Sequence, residues 1–106
     1  MTRLDVTDRE AVEAWAAQTQ AHFGQVHGVI NNAGIALQAT IEEVPLEVFE
    51  RVIDVDFWGV VHGTRAFLPY LKQADWACVI NISSLFGLIG VPGQGPYNAA
   101  KFAVRG

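Results

Sequence analysis

Tyr97 and Lys101 stand four residues apart in Tyr97-Asn98-Ala99-Ala100-Lys101, the spacing that puts two side chains on one face of a helix. A free phenol titrates at about 10, and a neighbouring cation favours its ionised form. A tyrosine so tuned can give a proton to a carbonyl oxygen, or take one from an alcohol, near neutral pH. Ser84 lies thirteen positions earlier, where the apolar run 76–82 ends in Ser83-Ser84. If that run is a strand of an open parallel sheet, Ser84 falls beyond its carboxyl end, where the ligands of such sheets lie. Its hydroxyl could there hold a carbonyl beside the phenol. Asn31-Asn32-Ala33-Gly34 follows another short apolar run, and its small residues let a flat ligand approach the backbone. Each feature alone has a plainer reading: a half-buried Tyr97 with a solvated Lys101, a Ser84 bonded to nearby backbone, an ordinary strand-to-helix turn at 31–34.

These residues need elements to position them. Thr7-Asp8-Arg9-Glu10 has capping-box spacing, with Thr7 as N-cap, and predicts a helix ending at Gly24 with Val12, Trp15, Ala16, Thr19 and Phe23 on one face. Residues 26–30 read as a strand. Pro45 opens a helical region to about Lys72. Phe49, Val52, Ile53, Val60, Phe67 and Leu71 form one apolar stripe on it. Trp58, Val61 and Leu68 form a second stripe, so the helix is expected to be covered on two sides, by its own sheet and by another subunit. Residues 76–82 read as a second strand, apolar enough for a sheet covered on both faces, with Cys78 a buried strand thiol. A Gly/Pro-rich stretch over 87–96 leads to a last helix that begins near Tyr97 and is still in progress at Gly106. Helix, strand, helix, strand, helix argues for a parallel sheet packed with helices, an α/β fold.

The composition fits a globular chain: of 106 residues, 51% are hydrophobic and 17% charged, unlike a disordered segment. The net charge is −4 and no Lys/Arg cluster occurs, which argues against nucleic acid and anionic membranes as partners. No apolar run approaches the roughly 18 residues of a membrane span. The first ten residues do not read as a signal peptide. A cytoplasmic location is the default expectation. Cys78 is the one cysteine, so no disulfide framework is expected. His22, His27 and His62 lack metal-ligand spacing, and no metal is expected. Residues 1–106 read as part of a single domain that is incomplete at both ends. The apolar pattern of Phe102 and Val104 has nothing after it to pack on, and no Gly-rich phosphate loop precedes the first strand.

Taken together, Asn31-Asn32-Ala33-Gly34, Asn81-Ile82-Ser83-Ser84 and Tyr97-x-x-x-Lys101 resemble, in order and spacing, the short-chain dehydrogenase/reductase family. The resemblance covers essentially the whole chain, with Leu4-Asp5-Val6-Thr7 at its start, the helix around Gly59 and the Gly-rich approach to Tyr97. It implies a Rossmann-like doubly wound sheet, of which this is the middle, and an NAD or NADP cofactor. It also implies reversible carbonyl–alcohol oxidoreduction of a small molecule. By the same resemblance, Asp5 and Val6 contact the adenine, while Asn31, Ala33 and Gly34 line the cofactor and steady the sheet. Ile82 lies beside the nicotinamide, and Ser84 polarises the substrate carbonyl. Tyr97 is the general acid or base; Lys101 binds the nicotinamide ribose and lowers the phenol pKa. Relatives pair the Gly59 helix and the catalytic helix with their symmetry mates, so a homo-oligomer is expected of the full-length protein.

Two positions depart from the family pattern. The family has Asn three residues before the helix glycine, where it holds a water linking the lysine to solvent. Here Asp56-Phe57-Trp58-Gly59 places Asp there, so Asp56 joins the catalytic candidates as a carboxylate that cannot donate a hydrogen bond when ionised. Its apolar flanks predict burial. His27 stands where the family often has Asp. The rival expectations are a non-catalytic dinucleotide-binding relative, and a truncated product that turns over nothing in isolation.

Overall fold

The computed structural model describes residues 2–106. Helix α1 (Arg9–Phe23) leads to β1 (Gly28–Asn31). Helix α2 (Leu46–Ile53), a π turn (Asp54–Trp58) and α3 (Gly59–Leu71) then cross over to β2 (Cys78–Asn81). A 3-10 turn (Leu85–Gly87) and α4 (Gly95–Arg105) follow. The strands pair in parallel, Gly28 opposite Cys78 through Asn31 opposite Asn81, which requires a long helical crossover of this kind. The architecture is the expected Rossmann-like α/β class. Because the register aligns Asn31 with Asn81, the segments after both strands leave the sheet at the same edge. The sheet thereby brings the 31–34 motif beside Ile82, Ser83 and Ser84.

Apolar burial fixes α1 and α3 on one side of the sheet. Val12 and Ala16 of α1 pack with Val26, Val29, Ala66, Phe67 and Leu71 in a continuous core, and the rings of Trp15 and Phe67 meet edge to face at 5.2 Å. An apolar groove of about 440 Å³ runs along β1, lined by Leu4, Val12, Trp15, Ile30 and Phe67 among others. Among the described residues no helix is long and apolar enough to cross a membrane.

Several expectations are corrected. Asp8, not Thr7, caps α1: its carboxylate accepts from the Ala11 amide at 3.0 Å. Thr7 is drawn away because its amide and hydroxyl both donate to Asp5 Oδ1, at 3.0 and 2.8 Å. Gly24 does end α1, at φ 79°, a conformation that glycine adopts without strain. Phe23, at the end of the expected inner face, is 72% exposed. Both strands are four residues long, shorter than their apolar runs. Cys78 is exposed, as is the rest of β2. Among the described residues β2 pairs along one edge alone, so the apolar run lacks the cover its composition suggested. The helical region from Pro45 reaches Leu71 but is interrupted by the π turn. Its inner face buries Val52, Phe67 and Leu71, and on the single chain Trp58 and Leu68 of the second stripe, the face expected to meet another subunit, are exposed. Helix α4 starts at Gly95, with Pro96 in its first turn, two residues before Tyr97.

Candidate active site

Lys101 is the centre of the site. Helix α4 turns Ala100 and Lys101 inward, and Lys101 is only 3% exposed. A buried ammonium needs hydrogen-bond acceptors and a counter-charge. Lys101 Nζ donates to the Ile82 carbonyl at 3.0 Å, and Asp56 Oδ2 lies 3.9 Å away. The same nitrogen sits 5.5 Å from the centroid of the Tyr97 ring, within reach of a cation–π attraction. The i, i+4 spacing on α4 therefore delivers the phenol–ammonium pair.

Phe86 joins Ser84 to Tyr97. Its amide donates to Ser84 Oγ at 3.2 Å, and its ring meets the Tyr97 ring edge to face, centroids 5.8 Å apart. The serine oxygen is thus held by the 3-10 turn while its own proton stays available to donate. The turn can approach α4 this closely because Gly87 has no side chain. A Cβ there would stand 2.6 Å from Ser83 Oγ and 2.7 Å from the Lys101 carbonyl oxygen, and Ser83 Oγ itself donates to that carbonyl at 3.3 Å.

The π turn carries Asp56 inward to full burial. Asp56 Oδ1 accepts from the Ile35 amide at 2.7 Å, while Oδ2 has no hydrogen-bond partner. Burial pushes the Asp56 carboxyl above its ordinary range; the Ile35 N–H and the Lys101 charge pull it partly back. Gly34 stands over the pair: a Cβ on it would lie 3.4 Å from Asp56 Oδ2 and 3.5 Å from Lys101 Nζ.

Asn31 locks the sheet to α3. Its side-chain amide donates to Thr64 Oγ1 at 3.0 Å and to Asn81 Oδ1 at 2.8 Å, using both of its protons. Gly63 leaves the room this requires, since a Cβ there would collide with Asn31 Oδ1. At the other end of the site, Asp5, Val6, Ala33 and Gly34 line one cleft of about 440 Å³, together with Ile35 and Arg51. Arg51 donates to Asp5 Oδ2 at 3.1 Å and to Thr7 Oγ1 at 3.1 Å.

The Asp5 carboxyl is held down at about 2, by the Thr7 amide first, then the Thr7 hydroxyl and Arg51. A depressed carboxyl stabilises the fold above its unfolded pKa and loses that contribution as pH falls through the folded one. The Asp5 tie is therefore expected to persist well below the ordinary carboxylate range and to fail near pH 2. Carboxyl-carbon NMR should find that midpoint, and Arg51→Gln should raise it without restoring the ordinary value, because both Thr7 donors remain. An unmoved midpoint would leave Arg51 without influence on Asp5.

The candidates thus fall into two groups. Asp56, Ile82, Ser84, Tyr97 and Lys101 gather beyond the strand ends, and Asp5, Val6, Ala33 and Gly34 line the cleft, with Gly34 touching both. Asn31 lies between the strands. Reading the sequence missed Ile35, Phe86, Thr64 and Arg51, which hold Asp56, Ser84, Asn31 and Asp5 through contacts that no local motif reports.

The family model for short chain dehydrogenase matches residues 1–106. The chain belongs to the short-chain dehydrogenase family. It is 61% identical over 104 residues to the putative oxidoreductase SadH of Mycobacterium tuberculosis, covering 98% of this chain and 38% of that protein. It is 42% identical over 103 residues to the 3-alpha-(or 20-beta)-hydroxysteroid dehydrogenase of the same organism, covering 97% of this chain and 40% of the relative. Among solved structures, an alcohol dehydrogenase from Thermococcus sibiricus complexed with 5-hydroxy-NADP superposes with a TM-score of 0.92 at 32% identity, over 98% of this chain and 44% of that one. The chain therefore spans about two-fifths of the length of these relatives.

The family match and a solved relative that holds 5-hydroxy-NADP support NAD or NADP as the cofactor. The residues present fit one: the cleft at Asp5 and Val6 is open, and the missing Cβ of Gly34 leaves its backbone approachable beside a buried ammonium.

Proposed function

We propose that the full-length protein is an NAD(P)-dependent enzyme that interconverts a carbonyl and an alcohol, with Tyr97 as general acid and base. The observation that carries this reading is the burial of Lys101 with its charge beside the Tyr97 ring, at 5.5 Å from the centroid. A cation held there, itself removed from water, is placed to offset negative charge that develops on the reacting oxygens.

Asp5, Val6, Asn31, Ala33, Gly34 and Ile82, with Tyr97 and Lys101, would hold the cofactor, which when bound supplies or accepts the hydride. In reduction Tyr97 gives its proton to the carbonyl oxygen, and in oxidation its phenolate takes the alcohol proton. Ser84, its oxygen fixed by the Phe86 amide, donates to the same substrate oxygen and stabilises the charge that develops there. Leu85, Leu88 and Ile89, exposed just after Ser84, favour a substrate with an apolar body, as does the relative whose name specifies a hydroxysteroid.

The reading carries a cytoplasmic protein in which residues 1–106 are part of a single such domain, with small-molecule partners and neither nucleic acid nor membrane. It also carries a homo-oligomer built on Trp58, Val61, Leu68 and α4 through an isologous contact. The test is turnover: full-length protein is offered aliphatic and steroidal ketones with NADH and with NADPH. Oxidation of at least one cofactor, dependent on ketone, is expected. A protein that binds dinucleotide yet reduces none of them would instead be a sensor or scaffold.

A further inference from the structure

Asp56 and Lys101 are the two buried charged residues of the described core, and their geometry is unequal. Lys101 Nζ donates one of its three protons to the Ile82 carbonyl at 3.0 Å. Asp56 Oδ1 is satisfied by the Ile35 amide at 2.7 Å. Asp56 Oδ2 has no hydrogen-bond partner and faces Nζ across 3.9 Å, too far for a hydrogen bond and close enough for strong Coulombic coupling. An oxygen that no protein donor reaches contributes little to cohesion as a hydrogen-bond acceptor. Its physical consequence here is electrostatic.

We propose that Asp56 and Lys101 act as one buried charge-balancing unit that sets how readily the Tyr97 phenol gives up its proton. The proposal rests on Tyr97 being the acid–base group and makes Asp56 a positioning residue that acts through Lys101. With Asp56 ionised, the field of Lys101 at the phenol is partly cancelled, and the phenolate is less favoured. With Asp56 neutral, the ammonium stands unbalanced, and the phenolate is more favoured.

Other charges do not replace this partnership. From α2, Glu47, Glu50 and Arg51 are exposed, and Arg51 is engaged with Asp5. From α3, His62 lies against the Val6 carbonyl, and Arg65 is exposed. From α4, Arg105 reaches the Gly87 carbonyl at 3.5 Å. Asp54, on the same turn as Asp56, is exposed.

The experiment is a phenolate absorbance titration of Tyr97 in full-length protein without cofactor, with Tyr97→Phe as the blank. Asp56→Asn removes the negative charge and should lower the Tyr97 midpoint by about one pH unit, tenfold in the ionisation constant. Asp54→Asn removes the same charge at the exposed position and should leave the midpoint in place. In steady state, the acid-side limb of alcohol oxidation, where the rate rises as the phenol ionises, should move down with the phenol in Asp56→Asn. If that variant fails to fold, Asp56→Ser, which keeps an acceptor for the Ile35 amide, carries the same expectation. A midpoint that stays put or rises overturns the proposal, as does an equal shift in Asp54→Asn. Because the titration needs neither substrate nor cofactor, a protein without turnover would sink the oxidoreductase reading and still leave this one decided.

Discussion

Tyr97→Phe is expected to lower carbonyl reduction by about 10²–10⁴-fold, the usual contribution of a placed general acid. Cofactor affinity should stay within about threefold, a difference of well under 1 kcal/mol. The separation follows from what the substitution removes. The phenylalanine ring can still pack edge to face on Phe86, as Tyr97 does at 5.8 Å, and can still lie beside Lys101 Nζ. Only the hydroxyl is lost, and with it the proton that the substrate oxygen needs. Single-turnover rates and dinucleotide titration on the same preparation would check the two halves. Undiminished reduction would remove Tyr97 from the mechanism, and a large loss of affinity would make it a binding residue instead.

The fold class and the main cluster were legible because they depend on short-range pattern. The alternation of apolar runs with amphipathic stretches is local, and it led to the parallel α/β arrangement that β1 and β2 form. The i, i+4 spacing of Tyr97 and Lys101 needs only a helix, and α4 spans both. Strand-end placement put the 31–34 motif and Ser84 at one edge, where the common register leaves them. What escaped reading is long-range or geometric. Ile35 reaches Asp56 across 21 positions, Arg51 reaches Asp5 across 46, and Asn31 reaches Asn81 across 50. No periodicity encodes such pairings. The π turn at Asp54–Trp58 is invisible because the apolar stripe continues through it. Thr7 and Asp8 are both good caps, and only the position of the Asp5 carboxylate decides between them. Cys78 shows the limit of composition: an apolar run reports a strand suited to cover, not whether cover is there.

Lys101→Met should produce a double loss, in dinucleotide affinity and in stability, and the stability loss should depend on pH in a way that identifies its cause. Methionine fills much of the lysine volume, so packing changes little. What goes is the charge, and Asp56 is left fully buried with no counter-ion. Removing one partner of a buried pair typically costs about 3–5 kcal/mol when the other must stay ionised. Asp56 has an escape, because burial already raises its carboxyl and the Lys101 charge is one of the two influences holding it down. Without that charge the folded-state pKa rises further. A carboxyl whose folded pKa lies above its unfolded one favours the folded state while protonated. That advantage is present below the unfolded pKa and is lost as pH rises through the folded one. The Lys101→Met variant should therefore lose most stability at neutral and alkaline pH and recover toward wild type as the medium becomes acidic. Adding Asp56→Asn should flatten this dependence, so that the double variant loses less at neutral pH than the two single variants summed. Urea unfolding of the full-length variants across the pH range would measure it. A stability loss that does not vary with pH would trace the defect to packing of the α4 face and would leave the Asp56–Lys101 coupling without support.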